Sequence, residues 1–138
     1  IIGLAGGSSP KIASPTLWHL MCDKKTQRGA VTHPTFDRSS LSVTPYGKSP
    51  AQVDIVDGLF MAVNVSAIKA SNWRFNPNYR FHHYDLASCL DAKRIGMTTG
   101  VYPIHVVHSS PGLKCYEDPE WRRSDAMFLK EYGNSASG

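Results

Sequence analysis

Residues 53–63 read VDIVDGLFMAV, a run rich in β-branched and apolar side chains with an Asp57-Gly58 pair in its middle. β-Branched residues are stiff at χ1 and pack well on a pleated surface, so the run predicts strand. A glycine inside such a pattern marks a bulge or a close approach of backbone, and two short strands meeting at an Asp57-Gly58 kink are expected. Strands this close in sequence leave no room for a helical crossover between them, which points to a mixed sheet, not a purely parallel one.

The flanking segments supply partners for that sheet. Residues 1–5 read as a short buried strand, ended by Gly6, Gly7 and two serines. From 6 to 50 the chain is rich in Pro, Ser, Thr and Gly with weak periodicity, a loop-rich excursion with a turn of helix at 16–22. Long loops without their own secondary structure are usually functional or mobile, which keeps a substrate-facing role in view beside that of a surface connection packed down by Trp18, Phe36 and Tyr46. A short helix is expected at 66–70, and 72–79 is turn-rich around Pro77. Residues 84–95 carry Leu86, Cys89, Leu90 and Ala92 at helical spacing, with Asp85 near the start and Lys93 and Arg94 near the end, charges that suit the helix dipole. Gly96 is a good stop. Residues 97–107, MTTGVYPIHVV, resume the β pattern and run into an HSSPG turn. An amphipathic helix is expected over 121–132, packing through Trp121, Ala126, Phe128 and Leu129, followed by a loose NSASG tail from 134 to 138. Strands alternating with helices give an α/β fold, a mixed sheet with flanking helices forming one domain over 1–138.

Composition narrows the function classes. A chain of 138 residues has the length for one core. With 41% hydrophobic and 19% charged residues it matches neither a disordered nor a fibrous class. The apolar runs fall far short of the roughly 20 residues a membrane-spanning helix needs. The net charge of +4 is scattered, and the clusters at Lys24, Lys25 and Arg28 and at Arg122 and Arg123 are too short for a nucleic-acid tract, so no nucleic-acid partner is expected. Attraction to anionic substrates or lipid head groups stays open, and with it a peripheral membrane association. Cys22, Cys89 and Cys115 are odd in number and lack CxxC spacing, which argues against a disulfide framework and for a reducing, cytoplasmic compartment.

Polar residues at the ends of predicted elements are the candidates for chemistry: Asp54, Asp57, His82, His83, Asp85, His105 and His108. Asp85, at a helix start, either caps its own helix or faces a ligand. His105 and His108 are three apart, which on a strand sends them to opposite faces, and adjacent His82 and His83 diverge likewise, so a shared zinc site is disfavoured.

The order of the pieces adds a resemblance. VDIVDGLFMAVN, at 53–64, followed by WRFNPNYRFHHYDLASCLDAKRIGMTTGVYPIHVVHSS, at 73–110, resembles the second half of family 2 glycosyltransferases of the GT-A fold. In that family an Asp-Gly strand precedes an aromatic-rich stretch ending in a Tyr-Asp helix start, a glycine, and a strand closing on histidine and serine. Asp57-Gly58, residues 75–92 with Gly96, and Val107-His108-Ser109 match these in turn, and IIGLAGG with Trp18, Arg28-Gly29 and His33 is similar to one subgroup.

The resemblance implies a partial GT-A, nucleotide-diphospho-sugar transferase fold, the acceptor-side half. It implies an inverting transfer from a nucleotide-sugar donor to a saccharide, lipid-linked or protein hydroxyl acceptor, at the inner membrane surface where the acceptor is lipid-linked. Asp85 would be the general base. Asp57 and Gly58 would border the pocket, with Trp73, His83 and Tyr84 as further substrate-binding residues, and His108 would help hold a divalent metal, Mn or Mg, on the diphosphate. Two departures stand out. Ala87 replaces the second aspartate found two residues after the base, and the chain contains no Asp-x-Asp motif. A fragment starting mid-domain is therefore expected, inactive alone, and its exposed sheet edge would favour self-association. A non-catalytic carbohydrate-binding or assembly module with Trp18, Trp73 and Tyr84 as stacking surfaces is the alternative. A metal-dependent hydrolase using His82, His83 and Asp85 is a third reading, against which their spacing argues.

Overall fold

The computed structural model describes residues 1–109 and 117–133. The end of the HSSPG turn, Cys115 and the 134–138 tail lie outside the described residues. The chain is mixed α/β, with two small sheets and flanking helices. Its elements run β1 (Ile2–Gly3), β2 (Ala5–Gly7), α1 (Trp18–Met21), a 3₁₀ turn at Lys24–Thr26, β3 (Gln27–Pro34), β4 (Leu41–Gly47), β5 (Ala51–Val53), β6 (Ile55–Val56), α2 (Val65–Ser71), α3 (Tyr84–Arg94), β7 (Thr99–Val101) and α4 (Pro119–Tyr132).

One sheet has the order β1-β7-β5, with β1 parallel and β5 antiparallel to β7. The other, β4-β3-β2-β6, is antiparallel throughout. The 53–63 run does split into two strands, but the break falls at Asp54, where the chain passes from one sheet to the other. Asp57 and Gly58 instead form the turn after β6, anchored by the Asp57 N–H donating to the Ala5 carbonyl at 2.9 Å.

The 6–50 segment is more ordered than its composition suggests. It holds the β3–β4 hairpin, paired from Gly29 opposite Gly47 to Pro34 opposite Leu41. Two features hide it. The register shifts between Gly29 and Ala30, which breaks the period of two, and β4 is an edge strand exposed along nearly its whole length. Gly29 has φ +90, and a Cβ there would lie 1.9 Å from the Leu4 carbonyl oxygen, so only glycine closes this bulge.

Helix α3 turns Leu86, Ala87, Cys89 and Ala92 inward, in contact with β6 and β7. Ala87, Cys89, Ala92, Ile55 and Val56 are all fully buried, and burying a side chain such as Ile55 contributes about 1.5–3 kcal/mol over leaving it exposed. The small alanines admit close helix–sheet approach, and a larger residue at Ala87 would cost about 1–3 kcal/mol by overpacking. Asp85 in its first turn and Lys93 and Arg94 in its last complement the dipole. Helix α4 starts at Asp118, whose side chain accepts from the Glu120 N–H, with Pro119 as its first residue. Its inward face is Trp121, Asp125, Phe128 and Tyr132, whereas Ala126 is exposed and Leu129 only half-buried. A buried aspartate on that face is not readable from apolar periodicity. Cys22 and Cys89 are buried free thiols. Among the described residues no helix is long and apolar enough to cross a membrane.

Candidate active site

The turn after β6 meets the start of α3, and the meeting point is the backbone of Gly58. Its N–H donates to Asp85 Oδ2 at 2.8 Å, and its carbonyl accepts from the Tyr84 hydroxyl at 2.5 Å. A Cβ at this position would lie 2.5 Å from the Tyr84 hydroxyl oxygen and 3.0 Å from Asp85 Oδ2, so the approach is possible only for glycine. Asp57 faces the other way: its Oδ2 accepts from the Trp18 indole N–H at 2.7 Å and its Oδ1 from the Leu59 N–H at 3.0 Å.

These residues line a cleft of about 320 Å³. Asp57, Gly58, His83, Tyr84, Asp85 and His108 all reach it. Asp85 is half-buried and its second oxygen, Oδ1, accepts from the Leu86 N–H at 2.9 Å. It thus bonds its own helix and borders the cleft. Burial and, secondarily, the Asp57 charge push its pKa up to about 6, against the pull of the Leu86 and Gly58 N–H groups. A carboxylate tuned toward neutrality suits a general base, since its conjugate acid is then neither too weak nor too strong for the exchange. Burial also raises the Tyr84 pKa, reinforced by Asp85 and then Asp57, so its hydroxyl remains a donor.

His83 sits beneath the cleft in a left-handed conformation, φ 63, as the residue before α3. Its Nε2 is 2.6 Å from Thr16 Oγ1 and its Nδ1 2.8 Å from Ser124 Oγ, and its ring stacks on Phe128 at 5.5 Å. Thr16 in turn bonds Asp125 through its hydroxyl and through its N–H at 3.1 Å, and Ser14 donates to the other Asp125 oxygen at 2.8 Å. Burial lowers the His83 pKa to about 4, a fall that Asp125 opposes and His82 deepens. Both imidazole nitrogens have partners in the protein.

Trp73 stands apart. It is 4% exposed, packs edge-on against Phe75 at 4.8 Å, and does not line the cleft. A large aromatic outside the strands can be a stacking platform or a core filler, and here it fills the core. His108 reaches the cleft with its N–H donating to the Thr32 carbonyl at 2.8 Å, and its ring is 5.4 Å from that of His33. Among the described residues no group of three or more His, Cys, Asp and Glu could hold a metal ion. Mg and Mn favour oxygen donors, whereas His108 is accompanied by a second imidazole, and the nearby carboxylates of Asp57 and Asp85 are already engaged by N–H donors. Asp54 lies elsewhere, paired with Lys93 at 2.7 Å and accepting from the Ser9 N–H at 2.6 Å, and His105 is 3.3 Å from Thr32 Oγ1.

The family model described as a glycosyltransferase-like family matches residues 1–132. The chain belongs to the glycosyltransferase-like family. Its kind is the family 2-like one, and the mixed α/β arrangement is consistent with a fold of that type. No curated protein and no solved structure matches it. In this glycosyltransferase-like chain the cleft also takes in the sequence candidates Trp18 and His82, together with Thr16, His19 and Trp121, which no local motif marks as site residues. Trp18 and Asp57 are bonded across 39 positions and Thr16 and Asp125 across 109, so no local spacing announces either pair.

Proposed function

We propose that this cleft is the acceptor side of an inverting glycosyl transfer from a nucleotide sugar, with Asp85 as the general base. The observation that carries the reading is a single carboxylate, gripped by the Gly58 and Leu86 N–H groups, with a pKa of about 6, bordering the same cleft as Asp57. In the reaction the acceptor hydroxyl oxygen forms a bond to the anomeric carbon while the bond from that carbon to the donor's diphosphate breaks. Asp85 takes the hydroxyl proton, and the electron pair of the broken bond leaves on the diphosphate. Two N–H bonds hold the carboxylate in place before reaction, so little reorganisation is needed at the transition state. The Trp18–Asp57 bond fixes the opposite wall, and the Tyr84 hydroxyl, spent on Gly58, keeps the turn from swinging into the cleft.

The test is stereochemical. The intact protein is incubated with a panel of nucleotide sugars and saccharide acceptors, nucleoside diphosphate release is followed, and the product's anomeric coupling is read by proton NMR. A product of opposite anomeric configuration to the donor is expected. Retention would contradict the single-base reading, since it requires a second displacement.

A further inference from the structure

A second cavity, of about 460 Å³, adjoins the cleft. The loop ending in Arg80, Phe81 and His82 forms one wall, and one face of α4, Glu120, Arg123, Ser124 and Met127 at helical spacing, forms the other. Phe81 and His82 line both the cavity and the cleft. Arg80 and Arg123 are exposed, and among the described residues neither has an ion pair or a hydrogen bond. Outside the cavity wall, Glu131 accepts from Asn76 at 3.2 Å and from the Tyr79 hydroxyl at 2.8 Å, and Asp118 lies 3.1 Å from His82 Nε2. Among the described residues Glu120 is the one acid that lines the cavity against the two arginines.

We infer that this cavity holds a phosphoryl group of the acceptor substrate, presented by Arg80 and Arg123 while the acceptor's hydroxyl lies against Asp85. The inference rests on the transferase reading for the word acceptor, but the cavity's chemistry stands without it. Guanidinium groups present rigid forks of N–H donors that match phosphate oxygens, and two forks from opposing walls suit a tetrahedral dianion better than a planar carboxylate, which one fork satisfies. Two positive side chains against one glutamate leave the cavity short of negative charge, which a dianion supplies. The wall is also set in advance. Asn76 and Tyr79 tie one end of the loop to α4 through Glu131, and His82 ties the other to the helix start through Asp118, so little ordering is required on binding. The exposed aromatic Phe81, beside His82 with ring centroids 4.7 Å apart, lies on the path a saccharide would take from the phosphoryl group to Asp85.

The experiment is calorimetric titration of the intact protein with glucose 6-phosphate, glucuronate and glucose at low ionic strength. Glucose 6-phosphate should bind at least about tenfold more tightly than either other probe, and the advantage should shrink as salt is added. The double variant Arg80→Gln/Arg123→Gln should lose that advantage, and Arg80→Lys/Arg123→Lys, which keeps the charge but not the forks, should retain part of it. Asp85→Asn changes the contact with the sugar hydroxyl alike for glucose 6-phosphate and glucose, so the ratio of their affinities should stay as in the unmodified protein while transfer is lost, and loss of transfer and loss of phosphate binding are separate results. Equal affinity for all three probes would overturn the inference, as would phosphate binding that survives the double glutamine variant with an unchanged melting curve. Displacement of bound glucose 6-phosphate by UDP would also overturn it, by assigning the cavity to the donor's diphosphate; no displacement is the expected result.

Discussion

Gly58 and Asp85 are held together by a 2.8 Å bond from the glycine N–H to the carboxylate, across 27 positions of sequence. The contact leaves no volume at the Gly58 α-carbon, where a methyl group would meet the Tyr84 ring at 2.8 Å as well as its hydroxyl. Gly58→Ala should therefore lower stability by about 1–3 kcal/mol and reduce transfer through displacement of Asp85. Denaturant midpoints and kcat/KM check it, and Tyr84→Phe in the same chain, by removing the hydroxyl, should restore part of the loss.

Asp57 raises the pKa of Asp85 through its charge. Asp57→Asn removes that charge while keeping an oxygen for the Trp18 indole, so the Asp85 pKa should fall. The acid limb of the profile of kcat/KM against pH should move to lower pH, whereas an unmoved limb would mean that Asp85 does not titrate there.

Two groups should drive stability in opposite directions with pH. His83 has a folded pKa of about 4, below its ordinary 6.5, so the unfolded state binds the extra proton and this contribution is lost as pH falls through that window. Asp85 has a folded pKa of about 6, above its ordinary 3.8, so the folded state binds the extra proton and stability rises as pH falls from about 6 toward 4. Each is on the order of 3 kcal/mol at full extent. Urea unfolding at pH 7 and 5 separates them: Asp85→Asn should lose more stability on acidification than the unmodified chain, and His83→Gln should gain.

Trp18→Phe should cost about 1.5–3 kcal/mol, the range for a hydrogen bond to a charged group, by taking the indole N–H away from Asp57. Thermal melts of this variant and of Trp18→Phe/Asp57→Asn measure the coupling, and the double variant should lose less than the sum of the singles.

What could be read from the sequence was what local rules encode. The apolar spacing of Leu86, Cys89 and Ala92 with Asp85 at one end and Lys93 and Arg94 at the other marked α3 and its site-bearing start, and Asp57-Gly58 stood out as a break in an apolar run. The β3–β4 hairpin was hidden because an exposed edge strand has no buried face to impose a period. Asp125 was hidden because a buried aspartate on a helix looks like a solvent-facing one until Thr16 and Ser14 are seen to bond it. Trp73 was misplaced because composition does not distinguish a ring that stacks on substrate from one that fills the core.

The central claim is that Asp85 takes the acceptor's proton. The direct measurement is the turnover of the intact protein carrying Asp85→Asn, with its melting curve recorded beside it. The account predicts a folded protein whose kcat falls by about 10² to 10⁴, the usual worth of a general base. A folded Asp85→Asn protein that transfers sugar at the unmodified rate would contradict it.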